Sequence, residues 1–137
     1  MWRKVNSERS QGADGPASLH HTVVGITLDP MADTDTQMLK GVLPMVVLAR
    51  LDANEAYGYD LVASLAIGGL AVSTGTVYPL LARLETEGKI TSRLVASPQG
   101  PARKYYRTTT AGRDYLVDQS IRWHELTRAI TTLLEEP

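Results

Sequence analysis

The sequence contains no cysteine and no phenylalanine, and all of its few aromatic residues are tyrosine or tryptophan. Without cysteine there is no disulfide, no zinc–thiolate site and no cysteine nucleophile, a usage that fits a reducing cytoplasm. Without phenylalanine the core must be assembled from Leu, Val, Ile and Ala. Only three histidines are present, and two of them are adjacent, His20 and His21. No third ligand accompanies that pair, so no metal site is expected. The third, His124, has no nucleophile or carboxylate constellation around it in sequence. No serine sits on a nucleophile elbow and no phosphate loop is present, so neither catalysis nor a cofactor is expected. The N-terminal MWRKVNSERSQ is followed by no apolar run and is no secretory signal. Residues 61–82 carry no charge, but Gly68, Gly69, Gly75 and Pro79 break them up. Two helices joined by a glycine turn account for them better than a membrane span does.

The 137 residues suffice for one domain and a tail, and a single core of this size gains from oligomerisation. Residues 1–37 show no sustained periodicity and read as a disordered tail. The short apolar patch Val23, Val24 and Ile26 within it is at most a small strand. From Leu39 a helical pattern runs through Val42, Leu43, Val46, Val47 and Leu51, with Pro44 either kinking it or standing in its first turn. A turn follows at residues 52–55. Gly58 opens a second helix with Leu61, Val62 and Leu65 inward, ending at Gly68 and Gly69.

The third helix organises the rest. In VSTGTVYPLLARLETEGKI, residues 72–90, Val77, Leu80, Leu81 and Leu84 form one apolar stripe. Ser73 is placed to cap it and Gly88 to close it. The other face carries Thr74, Thr76, Tyr78 and Arg83, hydroxyl and cationic groups suited to phosphates and base edges. Pro79 breaks a helix rule there, at a cost of ~3 kcal/mol, and marks either function or a tolerated kink. Two short helices joined by a glycine turn, the second exposing hydroxyls, make a helix-turn-helix.

The net charge is only −1, but residues 83–113 hold seven cations against two carboxylates. Such a basic segment on a balanced chain is a footprint for a polyanion. Residues 90–95 read as a strand, 96–102 as a turn-rich loop and 103–108 as the return strand. The hairpin places Arg93, Arg103 and Lys104 next to the third helix, as a wing does. If these three and Arg83 each neutralise one phosphate per subunit, a dimer neutralises eight, and log K falls with log salt at a slope of roughly −7. Thr109 caps a last helix running from Thr110 to Leu134. Its heptad seam sets Leu116, Trp123 and Ile130 at one position and Gln119, Leu126 and Leu133 at the other. The seam faces either a second copy or the chain's own domain.

LKG at 39–41, YGYDL at 57–61, STGTVYPLLARLETEGKI at 73–90 and GPARKYYRTTTAGR at 100–113 resemble the PadR-like transcriptional regulators. With the terminal helix, the resemblance spans residues 39–135. It implies a mainly α fold with a small β-hairpin: a winged helix-turn-helix domain at 38–109 and a C-terminal dimerisation helix at 110–137, as in the smaller PadR-like class. It also implies a homodimer that binds double-stranded operator DNA and represses a nearby promoter. The family's T-x-Y-P recognition motif falls on Thr76, Tyr78 and Pro79, and its basic wing on Arg103 and Lys104. Drug-sensing members stack planar aromatic effectors on a Trp in the terminal helix, at a distance from its opening glycine that here selects Trp123. A Trp there also serves as an interface anchor. The chain departs from the family pattern at Pro44, at Tyr57, where His is more usual, and at Thr108, where a Leu is usual and looser packing is expected.

Two other function classes have discriminating features. An enzyme needs a constellation that is missing, and a protein-binding adaptor on the same fold needs neither a basic wing nor a hydroxyl-rich third helix. Salt-dependent retention on nonspecific DNA separates both from a DNA-binding regulator.

Overall fold

The computed structural model describes residues 37–136. The disordered-tail reading, the Val23–Ile26 patch and the His20–His21 pair lie outside the described residues. In chain order the elements are α1 (Leu43–Ala53), β1 (Ala56–Tyr57), α2 (Gly58–Ile67), α3 (Thr74–Thr86), β2 (Ile90–Ser97), β3 (Gly100–Thr108) and α4 (Thr110–Glu135). Three helices and the sheet enclose a core of Leu43, Val47, Leu48, Leu51, Leu61, Leu65, Val77, Leu81, Leu84 and Ile90. Aliphatic side chains alone fill it, as the lack of phenylalanine requires.

Local chemistry sets the helix boundaries. Pro44 stands in the first turn of α1, where a missing N–H costs nothing, so the kinked alternative is not adopted. α2 and α3 end alike. The Leu70 N–H reaches the Leu65 carbonyl at 2.8 Å, and the Lys89 N–H reaches the Leu84 carbonyl at 2.9 Å. Each closure needs a left-handed residue before the donor, supplied by Gly69 (φ 105°) and Gly88 (φ 77°). At the other end of α3, the Ser73 hydroxyl accepts the Thr76 N–H at 3.2 Å. The Thr109 hydroxyl accepts the Gly112 N–H at 3.1 Å to start α4.

The sheet departs from the expected hairpin in two ways. It has three strands in the order β1-β3-β2, because Ala56 and Tyr57 pair with Tyr106 and Tyr105. The expected turn at 52–55 is instead the end of α1 followed by the approach to β1. The hairpin strands also run further than expected, to Ser97 and from Gly100, so only Pro98 and Gln99 are left to turn. A register irregularity between Val95 and Ser97 accommodates so tight a turn.

Thr108 corrects a further expectation. It is buried, and its hydroxyl donates to the Leu48 carbonyl at 2.7 Å. The polar group is satisfied and ties the sheet to α1, so the position does not loosen the packing.

Candidate nucleic-acid interface

α3 is amphipathic in the expected sense. Val77, Leu80, Leu81 and Leu84 are buried, whereas Thr74, Thr76, Tyr78, Pro79 and Arg83 are exposed together on the outer face. Ser73 lies at its free N-terminal end with its hydroxyl 3.2 Å from that of Thr76. Pro79 lies inside the helix and is solvent-facing. Its ring removes the bond to the Gly75 carbonyl, and Gly75 is itself exposed, so no buried acceptor is orphaned. Tyr78 is 47% exposed, yet its ring lies directly on Gly58, where any side chain would collide with it. The start of α2 therefore fixes the direction in which the Tyr78 hydroxyl points.

The hairpin register sorts the expected wing residues onto two faces. Ser92 opposes Tyr106 and Leu94 opposes Lys104, while Arg93 opposes Tyr105 and Val95 opposes Arg103. Opposed residues share a face of the sheet. Lys104 therefore lies on the α3 side, where its ammonium meets Glu85 at 3.1 Å. The same carboxylate accepts the Ser92 hydroxyl at 2.5 Å. The Ser92 bond, then Lys104, holds the Glu85 carboxyl below the usual carboxylate range.

Arg93 and Arg103 are on the opposite face. Arg93 forms a two-pronged pair with Glu55 at 2.7 and 2.8 Å, which keeps the Glu55 carboxyl below its ordinary value. Arg83 stands 3.9 Å from Glu87 along its own helix, a loose contact at an exposed site. Arg103 has no carboxylate partner among the described residues. Its guanidinium lies 4.7 Å from the centre of the Tyr57 ring. On this face, Asp52, Glu55, Arg93, Arg107 and Arg113 line a polar hollow of about 610 Å³.

Of the hairpin cations expected beside α3, only Lys104 faces it; the two-residue alternation of the strands turns Arg93 and Arg103 to the other side, where a carboxylate engages Arg93 and an aromatic ring engages Arg103. No local pattern signals the Tyr57 contact, because Tyr57 and Arg103 meet only through the β1–β3 pairing.

The expected seam of α4 divides. Leu116 is half-buried and packs with Tyr115 against the domain core. Beyond it the helix projects, and Trp123, Leu126, Ile130 and Leu133 are exposed together with Ile121 and Leu134. Gln119 is half-buried at the boundary between the two parts.

A sequence model of the transcriptional regulator PadR-like family matches residues 47–118. The chain belongs to that family. Transcriptional regulator Rv3488 of Mycobacterium tuberculosis is 42% identical over 79 residues, which are 56% of this chain and 71% of that protein. Among solved structures, a PadR family transcriptional regulator from Eggerthella lenta is 38% identical with a TM-score of 0.71, over 80% of this chain and 96% of that one. A PadR-like transcriptional regulator from Bacillus cereus is 39% identical with a TM-score of 0.67, over 74% of this chain and 99% of that one. As a PadR-like protein the chain is a transcriptional regulator rather than an enzyme, with the winged-helix fold of its relatives. No helix among the described residues is long and apolar enough to cross a membrane.

Proposed function

We propose that this PadR-like protein is a homodimeric repressor that binds double-stranded operator DNA in the cytoplasm. Residues 38–109 form the DNA-binding domain in this reading, and residues 110–137 the dimerisation helix. The observation that carries it is the outer face of α3, where Thr74, Thr76, Tyr78 and Arg83 are exposed over a fully apolar inner stripe. The second helix of such a pair enters the major groove with its N-terminal residues on base edges. Ser73, Thr74, Thr76 and Tyr78 occupy that end, Pro79 is exposed beside them, and Arg83 lies one turn on for a phosphate. Arg93, Arg103 and Lys104 contribute the hairpin's charge.

The apolar residues of the projecting half of α4 support the dimer. Trp123, Leu126, Ile130 and Leu133 would be covered by a second copy, with Leu116 and Gln119 at the edge of the contact. Trp123 is 38% exposed in the single chain. Two such indoles near a twofold axis form an apolar slot for a planar aromatic effector, which releases DNA only by favouring a dimer with wrongly spaced recognition helices.

The test is selection of binding sites from random duplexes, followed by Tyr78→Phe. The variant is expected to lose ~1–3 kcal/mol at selected sites and almost nothing at random ones. Equal losses at both would reduce Tyr78 to a helix-positioning role. Failure to enrich any sequence would remove the operator reading.

A further inference from the structure

Arg103 differs from Arg93 and Lys104, which are paired with Glu55 and Glu85, since its neighbour is a ring and not a carboxylate. That ring is itself held. Tyr57 packs against Tyr59 with centroids 6.5 Å apart and planes at 24°, and against Tyr105 at 5.4 Å and 49°. Its backbone pairs with Tyr105 in the β1–β3 ladder. Tyr57 also sits immediately before α2, so the ring joins the helix pair to the hairpin.

We propose that Tyr57 is a positioning residue for DNA binding, a fixed aromatic ledge that holds the Arg103 guanidinium in place for a phosphate. The inference rests on the DNA-binding reading above. An arginine on an exposed hairpin otherwise loses most of its rotamer freedom when it meets its target. A guanidinium drawn to a ring face has already given up that freedom, and its charge stays intact. The N–H groups turned away from the ring remain free for a phosphate oxygen. Arg93 and Lys104 cannot act in this way without first leaving Glu55 and Glu85. Arg103 can therefore meet a phosphate without first breaking an ion pair.

The experiment is a double-mutant cycle on the full chain, read by fluorescence anisotropy on a mixed-sequence duplex at low salt. Tyr57→Phe keeps the ring and should bind as the wild type does. Tyr57→Leu keeps apolar bulk, removes the ring face, and should weaken binding about 2- to 5-fold per wing. Arg103→Ala should weaken it at least as much, and Tyr57→Leu should then have no further effect.

Additive losses, or a Phe variant as weak as the Leu variant, would overturn the proposal. A wild-type measurement covers the case in which Tyr57→Leu fails to fold. The Arg103 side-chain protons should be shifted upfield in the NMR spectrum by the Tyr57 ring current, and an unshifted Arg103 would overturn the proposal. The two readings also fail separately. If the wild type binds and Arg103→Ala binds equally well, DNA binding stands and this inference falls. If the wild type shows no salt-dependent binding, both fall.

Discussion

Gly112 in the first turn of α4 lies against the Lys89 carbonyl so closely that no side chain fits between them. The Lys89 carbonyl also accepts the Thr109 N–H at 3.0 Å, and the Thr109 hydroxyl donates to the Gly88 carbonyl at 2.6 Å. The end of α3 and the start of α4 are thus a single joint. The helix that carries the proposed dimer seam and the helix proposed to enter DNA therefore share one tightly packed contact.

Gly112→Ala is expected to force this joint apart. Overpacking of that kind costs ~1–3 kcal/mol. For a domain of this size the melting temperature should fall by about 4–8 °C for each kcal/mol lost. Differential scanning calorimetry checks it, and an unchanged melting temperature would mean that the joint yields freely.

Glu85 restrains Lys104, so Glu85→Gln should release it. The amide still accepts the Ser92 hydroxyl but no longer holds the ammonium by charge. If each freed lysine meets one phosphate, a dimer gains two, and the salt slope of DNA binding steepens by roughly 1.8. A salt titration of the variant beside the wild type reads this directly, and an unchanged slope would mean that Lys104 does not reach DNA.

The same carboxylates set an acid response. Glu55 and Glu85 have folded-state values below the ordinary range, the first mainly through the Arg93 hydrogen bond and the second mainly through that of Ser92. A lowered folded value means that their stabilisation is full above the unfolded glutamate value of about 4.3 and is lost as pH falls below it. Both pairs are partly exposed, so the effect should be small. Glu55→Gln with Glu85→Gln should flatten the dependence of melting temperature on pH in that acid range while leaving the neutral range nearly flat. A fall in the variant as steep as that of the wild type would assign the acid response to other groups.

The elements that were legible from sequence are those whose signals are local. The α3 stripe, its Ser73 cap, the glycine closures at Gly69 and Gly88, and the Thr109 cap all lie within a few residues of the structure they determine. What was not legible depends on distant partners. β1 has two residues, too few for any periodicity, and exists only because Ala56 and Tyr57 meet Tyr106 and Tyr105. The Glu55–Arg93 pair and the Thr108–Leu48 bond span 38 and 60 positions. The candidate cations could therefore be named from the sequence, but their division between carboxylate partners and an aromatic ledge could not.

Replacing Leu126 and Ile130 together with charged residues tests the proposed seam. Both are exposed in the single chain, so the domain should stay folded. Sedimentation should then give monomers that bind operator poorly, since two half-sites need two copies. A variant that remains dimeric would place the interface elsewhere.

Trp123→Ala separates a sensor from an anchor. Under the sensor reading the variant stays dimeric, binds DNA, and loses both the binding of planar hydrophobic dyes and dye-induced release. Dissociation into monomers would instead make the indole an interface anchor and leave the chain without this effector site.

The most direct test of the central claim is the salt dependence of wild-type affinity for duplex DNA. If Arg83 and Arg103 alone reach phosphates in a dimer, log K should fall with log salt at a slope of about −4; with Arg93 and Lys104 released as well, the slope should approach about −7. A slope within this range is the predicted result, and a slope near zero would contradict DNA binding through α3 and its hairpin.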